Sequence, residues 1–422
     1  MVGNQPTRLV YGEDDSSFWE KYPVLETFMH AADSFVKHIG GTVQIWAANR
    51  DWFLEEWGRD TFISFPGILL VTRRFDEAKQ IVRDFATYEK NGLIPNRIKK
   101  NTIEYNSVGA PLWFIQAMKS YWQYTSDLNF VTEMLPVLRR IIDAYKNGTS
   151  YERFGNKQTI KMDENDALIV SPPQATWMDA DPSGTGKTIV TPRNGKAVEI
   201  NALWYDNIRF LATLERQEKN LLKAKDYDSL ADDIKKSYNS KFWNWSENAL
   251  LDVIEGDSHG GSIRPNMVLA VSHGGDLLSE NRQMGVVESA QRDLLTPGGL
   301  RTLSPRDSQY RGIYDTYLPA NKKDLAYHQG TAWPWLIGPY CDALASVRQH
   351  QGESASSIRD EIARNIGPLV RFCVESPYKS LPELFSGNPP YEPGGTTSQT
   401  WSVAEVLRIL EKYNIMEEKK II

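Results

Sequence analysis

Apolar residues recur at three- and four-residue spacing along almost the whole chain, a period that suits helices and little else. Val198, Ile200, Leu203, Ile208 and Leu211, for example, mark the faces of one such segment. The pattern predicts helices at Ser17–Ile39, Thr61–Thr72, Asp76–Lys90, Ala110–Thr125, Leu128–Lys146 and Val198–Gln217. It predicts others at Ala224–Lys241, Asn266–Val271, Asn281–Leu295, Gly330–Arg348, Ser354–Cys373 and Ser398–Lys412. Strand-like alternation is scarce and falls at Gln158–Lys161 and Ala167–Val170. A dozen helices joined alternately by short turns and long loops suggest helical hairpins closed into a ring. No fixed 34- or 40-residue repeat supports a solenoid instead.

The long connectors, Ala47–Asp60, Asn91–Gly109, Ser171–Ala197, Gly256–Pro265, Thr296–Gln329 and Ser376–Thr397, hold the unusual residues. Loops gathered at one end of a rigid ring are where a site is assembled. No low-complexity linker divides the chain, so residues 1–422 are expected to form one domain.

The formal charge of −6 is spread over interspersed acids and bases, which argues against nucleic acid or anionic membrane as a partner. No apolar run approaches the roughly 20 residues of a membrane span. The first residues carry no basic-then-apolar secretory pattern. Cys341 and Cys373 are the only cysteines, which excludes a disulfide scaffold and fits a cytoplasmic location. No zinc spacing, His-Glu-x-x-His or Gly-x-Ser-x-Gly is present, so no metal or cofactor is expected. Gly184-Thr185-Gly186-Lys187-Thr188 imitates a phosphate loop, but Asp181 stands where the first glycine is required and no strand precedes it.

Asp179, in Ala175-Thr176-Trp177-Met178-Asp179-Ala180, and Glu383, in Leu381-Pro382-Glu383-Leu384-Phe385, sit in aromatic frames far apart in the chain. Glycosidic cleavage needs such a pair: an acid to protonate the leaving oxygen and a carboxylate acting on the opposite face. These residues alone do not say which is which. With 13 Trp and 19 Tyr the chain has ample surface for sugar C–H faces, although most of these rings belong to the core. Trp57-Gly58-Arg59-Asp60 opens a helix and offers a donor fork beside an acceptor, or simply an N-cap at Asp60. Ala326-Tyr327-His328-Gln329-Gly330-Thr331-Ala332-Trp333-Pro334-Trp335 packs His, Gln and two Trp ahead of an apolar helix, a loop-to-helix junction suited to clamping a ligand, and Ile263-Arg264-Pro265-Asn266 is a weaker case.

Taken in order, these segments are joined by Tyr105-Asn106-Ser107-Val108, Val190-Thr191-Pro192-Arg193, Val198-Glu199-Ile200-Asn201 and Gly299-Leu300-Arg301-Thr302-Leu303. The series resembles the amylo-α-1,6-glucosidase family, the glucosidase part of glycogen debranching enzymes, over roughly residues 45 to 412. The resemblance implies an all-α (α/α)6 barrel and an inverting exo-hydrolase that releases glucose from α-1,6 branch stubs of a glycogen-like glucan. It also implies Asp179 as general acid and Glu383 as general base. Trp57, Arg59, Asp60, Trp177, Arg264, Tyr327, His328 and Gln329 would grip the terminal glucose. Related possibilities are an inverting α-glucosidase on short oligosaccharides or glucosylated small molecules, and a silent glucan-binding protein. One departure stands out. The family commonly carries Asp after its Tyr-Asn motif, where this chain has Gly109. That glycine either removes a sugar contact or serves a left-handed turn.

Overall fold

A computed structural model describes residues 23–49, 55–99, 102–186 and 189–415. Within them, helices alternate around a ring: α1 Val24–Asp33, α2 Gly58–Phe65, α3 Phe75–Thr87, α4 Gly109–Thr125, α5 Leu128–Asn147 and α6 Val198–Gln217. The second half follows as α7 Leu221–Lys241, α8 Leu269–Ser272, α9 Glu280–Asp293, α10 Ile337–His350, α11 Ala355–Glu375 and α12 Thr400–Lys412. Irregular turns lengthen three of them: a π-helical turn Pro66–Leu70 after α2, and 3-10 turns Pro265–Val268 before α8 and Pro334–Leu336 before α10.

The even-numbered helices close the inner ring, since α2 packs on α4, α4 on α6, α6 on α8, α8 on α10, α10 on α12 and α12 back on α2. The odd-numbered helices lie outside: α5 packs on α4 and α6, α7 on α6, α9 on α10, and α1 on α12. This is the (α/α)6 barrel, and its burial follows from position. An outer helix buries one stripe, as α7 does with Ala224, Tyr227, Ala231, Ile234 and Tyr238 at alternating spacings of three and four. A fully buried aliphatic such as Ile234 contributes about 1.5–3 kcal/mol. Every residue of the inner helix α2 is buried. Close approach there depends on Gly67, where a Cβ would meet the Ala404 carbonyl at 2.0 Å.

Connectors from inner to outer helices are brief, such as 126–127 and 218–220, whereas all those from outer to inner helices are long. The long connectors therefore gather over the N-terminal ends of the inner helices, as the loop pattern predicts. They contain more strand than the sequence suggests. A three-stranded antiparallel sheet joins β1 Glu56–Trp57, β2 Arg97–Lys99 and β3 Thr102–Glu104. Another joins β4 Thr149–Arg153, β5 Asn156–Met162 and β6 Ile169–Val170. It contains the predicted Gln158–Lys161, whereas of the predicted Ala167–Val170 only the last two residues are strand, Ala167 standing at φ +60°. A five-stranded sheet runs β7 Leu295–Thr296, β8 Gly299–Arg301, β9 Ala332–Trp333, β10 Leu384–Phe385 and β11 Pro393–Gly394.

Two helix expectations need correction. The segment Ser17–Ile39 is not one helix: residues 17–22 lie outside the described residues, α1 ends at Asp33, and Val36–Ile39 pairs antiparallel with Thr42–Ile45. Gly40 and Gly41 both adopt positive φ, the two-residue hairpin geometry that glycine pairs favour. The segment Gly330–Arg348 begins as strand β9, because Ala332 pairs with Arg301 and Phe385, and helix starts only at Pro334.

Candidate active site

Trp57 ends β1 and leads directly into α2, so Arg59 and Asp60 ride on the first turn of an inner helix. Asp60 is not the N-cap, and no side chain caps this helix. Instead, its Oδ1 accepts from Gln399 Nε2 at 3.4 Å, at the start of α12. Burial pushes the Asp60 carboxyl up to about 7, against the attraction of Arg59. Arg59 Nη1 donates to the Thr176 carbonyl at 3.1 Å and to Asp179 Oδ2 at 3.0 Å, fixing the loop that carries Asp179.

That loop is held from beneath by a buried polar network. Trp177 Nε1 donates to Asn266 Oδ1 at 2.7 Å, and Asn266 Nδ2 donates to Asp252 Oδ1 at 2.7 Å. Arg193 forks onto Glu199 with two bonds of 2.6 Å, reaches Asp252 at 2.7 Å and donates to Thr176 Oγ1 at 3.0 Å. The ordered motifs around Arg193, Glu199 and Asn266 are thereby explained as scaffolding for the Thr176–Asp179 turn.

Glu383 immediately precedes β10 and is buried. The Tyr327 hydroxyl donates to its Oε1, and the Thr396 N–H donates to its Oε2 at 3.2 Å. Burial nevertheless raises this carboxyl to about 7. Gly395, at φ +69°, must be glycine to sit beside it, because a Cβ would fall 2.1 Å from Glu383 Oε2.

His328 Nδ1 accepts from the Ala180 N–H at 3.4 Å, which places the ring proton on Nε2. Burial, with Arg59 and Arg264 nearby, holds this imidazole well below its ordinary range, so it is neutral. Its Nε2–H is buried and has no partner among the described residues, leaving a donor ready for a ligand hydroxyl.

These groups enclose one cavity of about 130 Å³, lined by Trp57, Arg59, Asp60, Trp177, Asp179, Tyr327, His328 and Glu383 together with Ala47, Trp333, Gln399 and Trp401. Four tryptophans thus face a handful of charged and hydroxyl groups, the mixture that pairs with the C–H faces and hydroxyls of a single sugar ring. Trp177 meets Trp333 and Trp335 edge-to-face, with centroids 5.3 and 5.2 Å apart, so the aromatic wall is rigid. The two catalytic candidates differ in depth. The Asp179 side chain is 22% exposed, whereas Glu383 is 4% exposed.

Arg264 and Gln329, predicted to grip a ligand, are absent from the lining. Arg264 is buried behind it, donating to the carbonyls of Thr302 and His328 at 2.9 and 2.8 Å and to Gln329 Oε1 at 2.6 Å. They position the His328 loop. Gln399, Trp333 and Trp401 line the cavity although the sequence reading does not place them among the gripping residues. Trp333 falls inside the motif around His328, whereas Gln399 and Trp401 look like an ordinary helix start. Gly109 also stands outside the lining, as the first residue of α4. It is not in the left-handed region, and an added Cβ would make only ordinary contacts, the nearest 3.6 Å from Trp113. The left-handed-turn reading of that glycine is therefore overturned.

A grouping of acids close enough to share a cation, Asp163, Asp166 and Glu255, is instead occupied by Lys196, with Nζ 2.8 Å from Asp163 and 2.6 Å from Asp166. Of the Gly184–Thr188 segment, residues 187 and 188 lie outside the described residues, and the Gly186 N–H is held by Asp181. No described helix is long and apolar enough to cross a membrane.

Comparison with known proteins bears on the family and the fold. A family model described as Amylo-alpha-1,6-glucosidase matches residues 30–408. The glycogen debranching enzyme of Saccharomyces cerevisiae is 27% identical, across 69% of this chain and 24% of that protein. The chain thus spans about a quarter of that relative's length. A solved structure of the GH63 mannosylglycerate hydrolase from Thermus thermophilus, in complex with glucose, aligns with a TM-score of 0.66. It covers 92% of this chain and 99% of that one at 12% identity. A rhamnosidase from Klebsiella oxytoca with rhamnose bound aligns with a TM-score of 0.60 and 12% identity, over 93% of this chain and 64% of that one. At such identity the two structures speak for the fold alone.

Proposed function

Because the chain belongs to the amylo-α-1,6-glucosidase family, a family of glycoside hydrolases, we propose that it is an inverting exo-glucosidase acting on α-1,6 branch stubs. One observation carries this reading: two carboxylates from different connectors, Asp179 and Glu383, enter the same ring-sized, tryptophan-walled cavity. The terminal glucose occupies the cavity, with Asp60, Arg59 and the His328 Nε2–H meeting its hydroxyls and the indoles of Trp57 and Trp177 its apolar faces.

Depth divides the two roles. In exo-cleavage the leaving chain points to solvent, so the acid stands at the mouth and the base lies deep on the far side of the ring. Asp179, the more exposed, protonates the glycosidic oxygen. Glu383 takes a proton from the water that attacks the anomeric carbon, which inverts its configuration. The bond from Tyr327 and the Thr396 N–H orient Glu383, while burial makes it a stronger base.

That same burial favours a second reading, in which Glu383 is the acid and Asp179 the base, since a carboxyl raised by its surroundings is a common form of general acid. The pH profile separates them. A base must be anionic, so kcat/KM is expected to rise with pH through about 7 as Glu383 ionises. Asp60 titrates near the same point, so the limb should persist in Asp60→Asn. A limb that falls through that pH in both proteins would transfer the acid role to Glu383.

Substrate choice is tested by incubating the protein with a branched limit dextrin, with maltotriose and with glycogen, and measuring free glucose. Release from the limit dextrin well above that from maltotriose is the expected result. Equal release would point to a short-oligosaccharide glucosidase. Retention on glycogen with no glucose from any substrate would point to a silent binding protein.

A further inference from the structure

Beside the Asp179 loop runs a groove of about 820 Å³, lined among others by Arg97, Tyr105, Asn106, Tyr151, Arg153 and Phe154. Its walls are strands β2 and β3 and the β4–β5 hairpin, all on the rim where the long connectors gather. Two joints tie it to the cavity. The Arg97 guanidinium lies 4.6 Å over the ring of Trp57, and Trp57 lines the cavity. Arg153 Nη1 donates to the Gln174 carbonyl at 2.9 Å, and Gln174 Nε2 donates to the carbonyl of Ala180, next to Asp179, at 3.2 Å. The charge of Asp179 also acts on the Tyr151 phenol, a secondary influence beside burial.

The chemistry of the proposed reaction gives this adjacency a meaning. A general acid must touch the glycosidic oxygen, so whatever remains attached to that oxygen extends on the acid's side of the cavity. We propose that this groove is the acceptor side of the site and holds several residues of the glucan chain from which the terminal glucose is cut; this rests on the assignment of Asp179 as the acid.

The lining suits a neutral, polyhydroxylated chain. Tyr151 is 7% exposed, and its hydroxyl is buried with no partner among the described residues. Such an oxygen is costly to leave unmatched and is available to a sugar hydroxyl. Phe154 occupies the tip of the hairpin at φ +51° and is 50% exposed, with the Arg153 guanidinium 5.1 Å from its ring. A solvated aromatic braced by a cation makes a platform for a pyranose face. The charged lining residues, Lys90, Arg97 and Arg153 against Glu104 and Glu152, nearly cancel, so the groove has little to select an ionic ligand.

The test compares Phe154→Ala and Tyr151→Phe with the parent on a branched limit dextrin and on isomaltose, whose leaving group is a single glucose. Phe154 is exposed and Tyr151→Phe preserves ring volume, so unchanged melting temperatures serve as the control. KM for the dextrin should rise up to about tenfold, the worth of one aromatic contact in Phe154→Ala and of one hydrogen bond in Tyr151→Phe, while kcat/KM on isomaltose changes less than about twofold. Equal effects on both substrates, or none on the dextrin, would overturn the proposal. Migration through a gel containing limit dextrin gives a readout independent of turnover. If the parent released no glucose from either substrate, the hydrolase reading would fail. Loss of gel retardation in Phe154→Ala would then still establish a glucan groove, and unaltered migration would refute it.

Discussion

Asp179→Asn and Glu383→Gln are each expected to lower kcat on branched dextrin by about 10²–10⁴-fold, the usual contribution of a positioned acid or base. Both changes keep side-chain volume, and Tyr327, Thr396 and Arg59 retain an oxygen to bond, so far-UV circular dichroism and melting temperature should hold. A substrate that needs no protonated leaving group divides the roles. With α-glucosyl fluoride, Asp179→Asn should recover most of its activity, because fluoride departs unaided, whereas Glu383→Gln should remain inactive for want of a base. Recovery in Glu383→Gln alone would assign the roles the other way round. Near-native turnover of either variant on dextrin would remove that residue from the chemistry.

The largest loss of stability is expected not in the cavity but beneath it. Arg193 is almost wholly buried between Glu199 and Asp252, also buried, and bridges both to Thr176. Arg193→Met would keep the aliphatic stem and leave two carboxylates without their cation; Arg264, whose Nε lies 3.8 Å from Asp252, is too distant to replace the fork. Removing one partner of a buried ion pair costs about 3–5 kcal/mol, and urea unfolding should show a loss of that order. Activity should fall as well, since Thr176 and Trp177 anchor the turn that presents Asp179. A midpoint within error of the parent would mean that the network is dispensable.

The Arg193 network also shows what was legible in the sequence. Helical period alone outlines the ring, because an outer helix such as α7 must bury one stripe and leave the rest wet. The long loops were legible for the opposite reason, as interruptions rich in Gly, Pro, Trp and acids. Two-residue strands such as β10 and β11 are too short for any alternation to register, so the five-stranded sheet beside Glu383 was invisible. The Gly40-Gly41 turn, flanked by the β-branched Val36, Ile39, Thr42, Val43 and Ile45, was a readable hairpin signal that the three- and four-residue period running up to Ile39 masked.

Within the site, the residues that touch the cavity and those that brace it look alike along the chain. Arg59 and Arg264 are both buried arginines in motif-like frames, yet only Arg59 reaches the lining, because α2 begins at the cavity and Arg264 lies behind the His328 loop. Gln399 reveals itself only through Asp60, a residue 339 positions away. Contacts of that range are fixed by ring closure, when α12 meets α2, and no local pattern encodes them.

The inverting role proposed for Asp179 and Glu383 is most directly tested by the anomer of the first glucose released. Proton NMR during the initial turnovers, before mutarotation, should show β-glucose from an α-linked substrate, as expected when one carboxylate delivers water directly across the ring from the other. α-Glucose appearing first would require a covalent glycosyl-enzyme and would contradict the account.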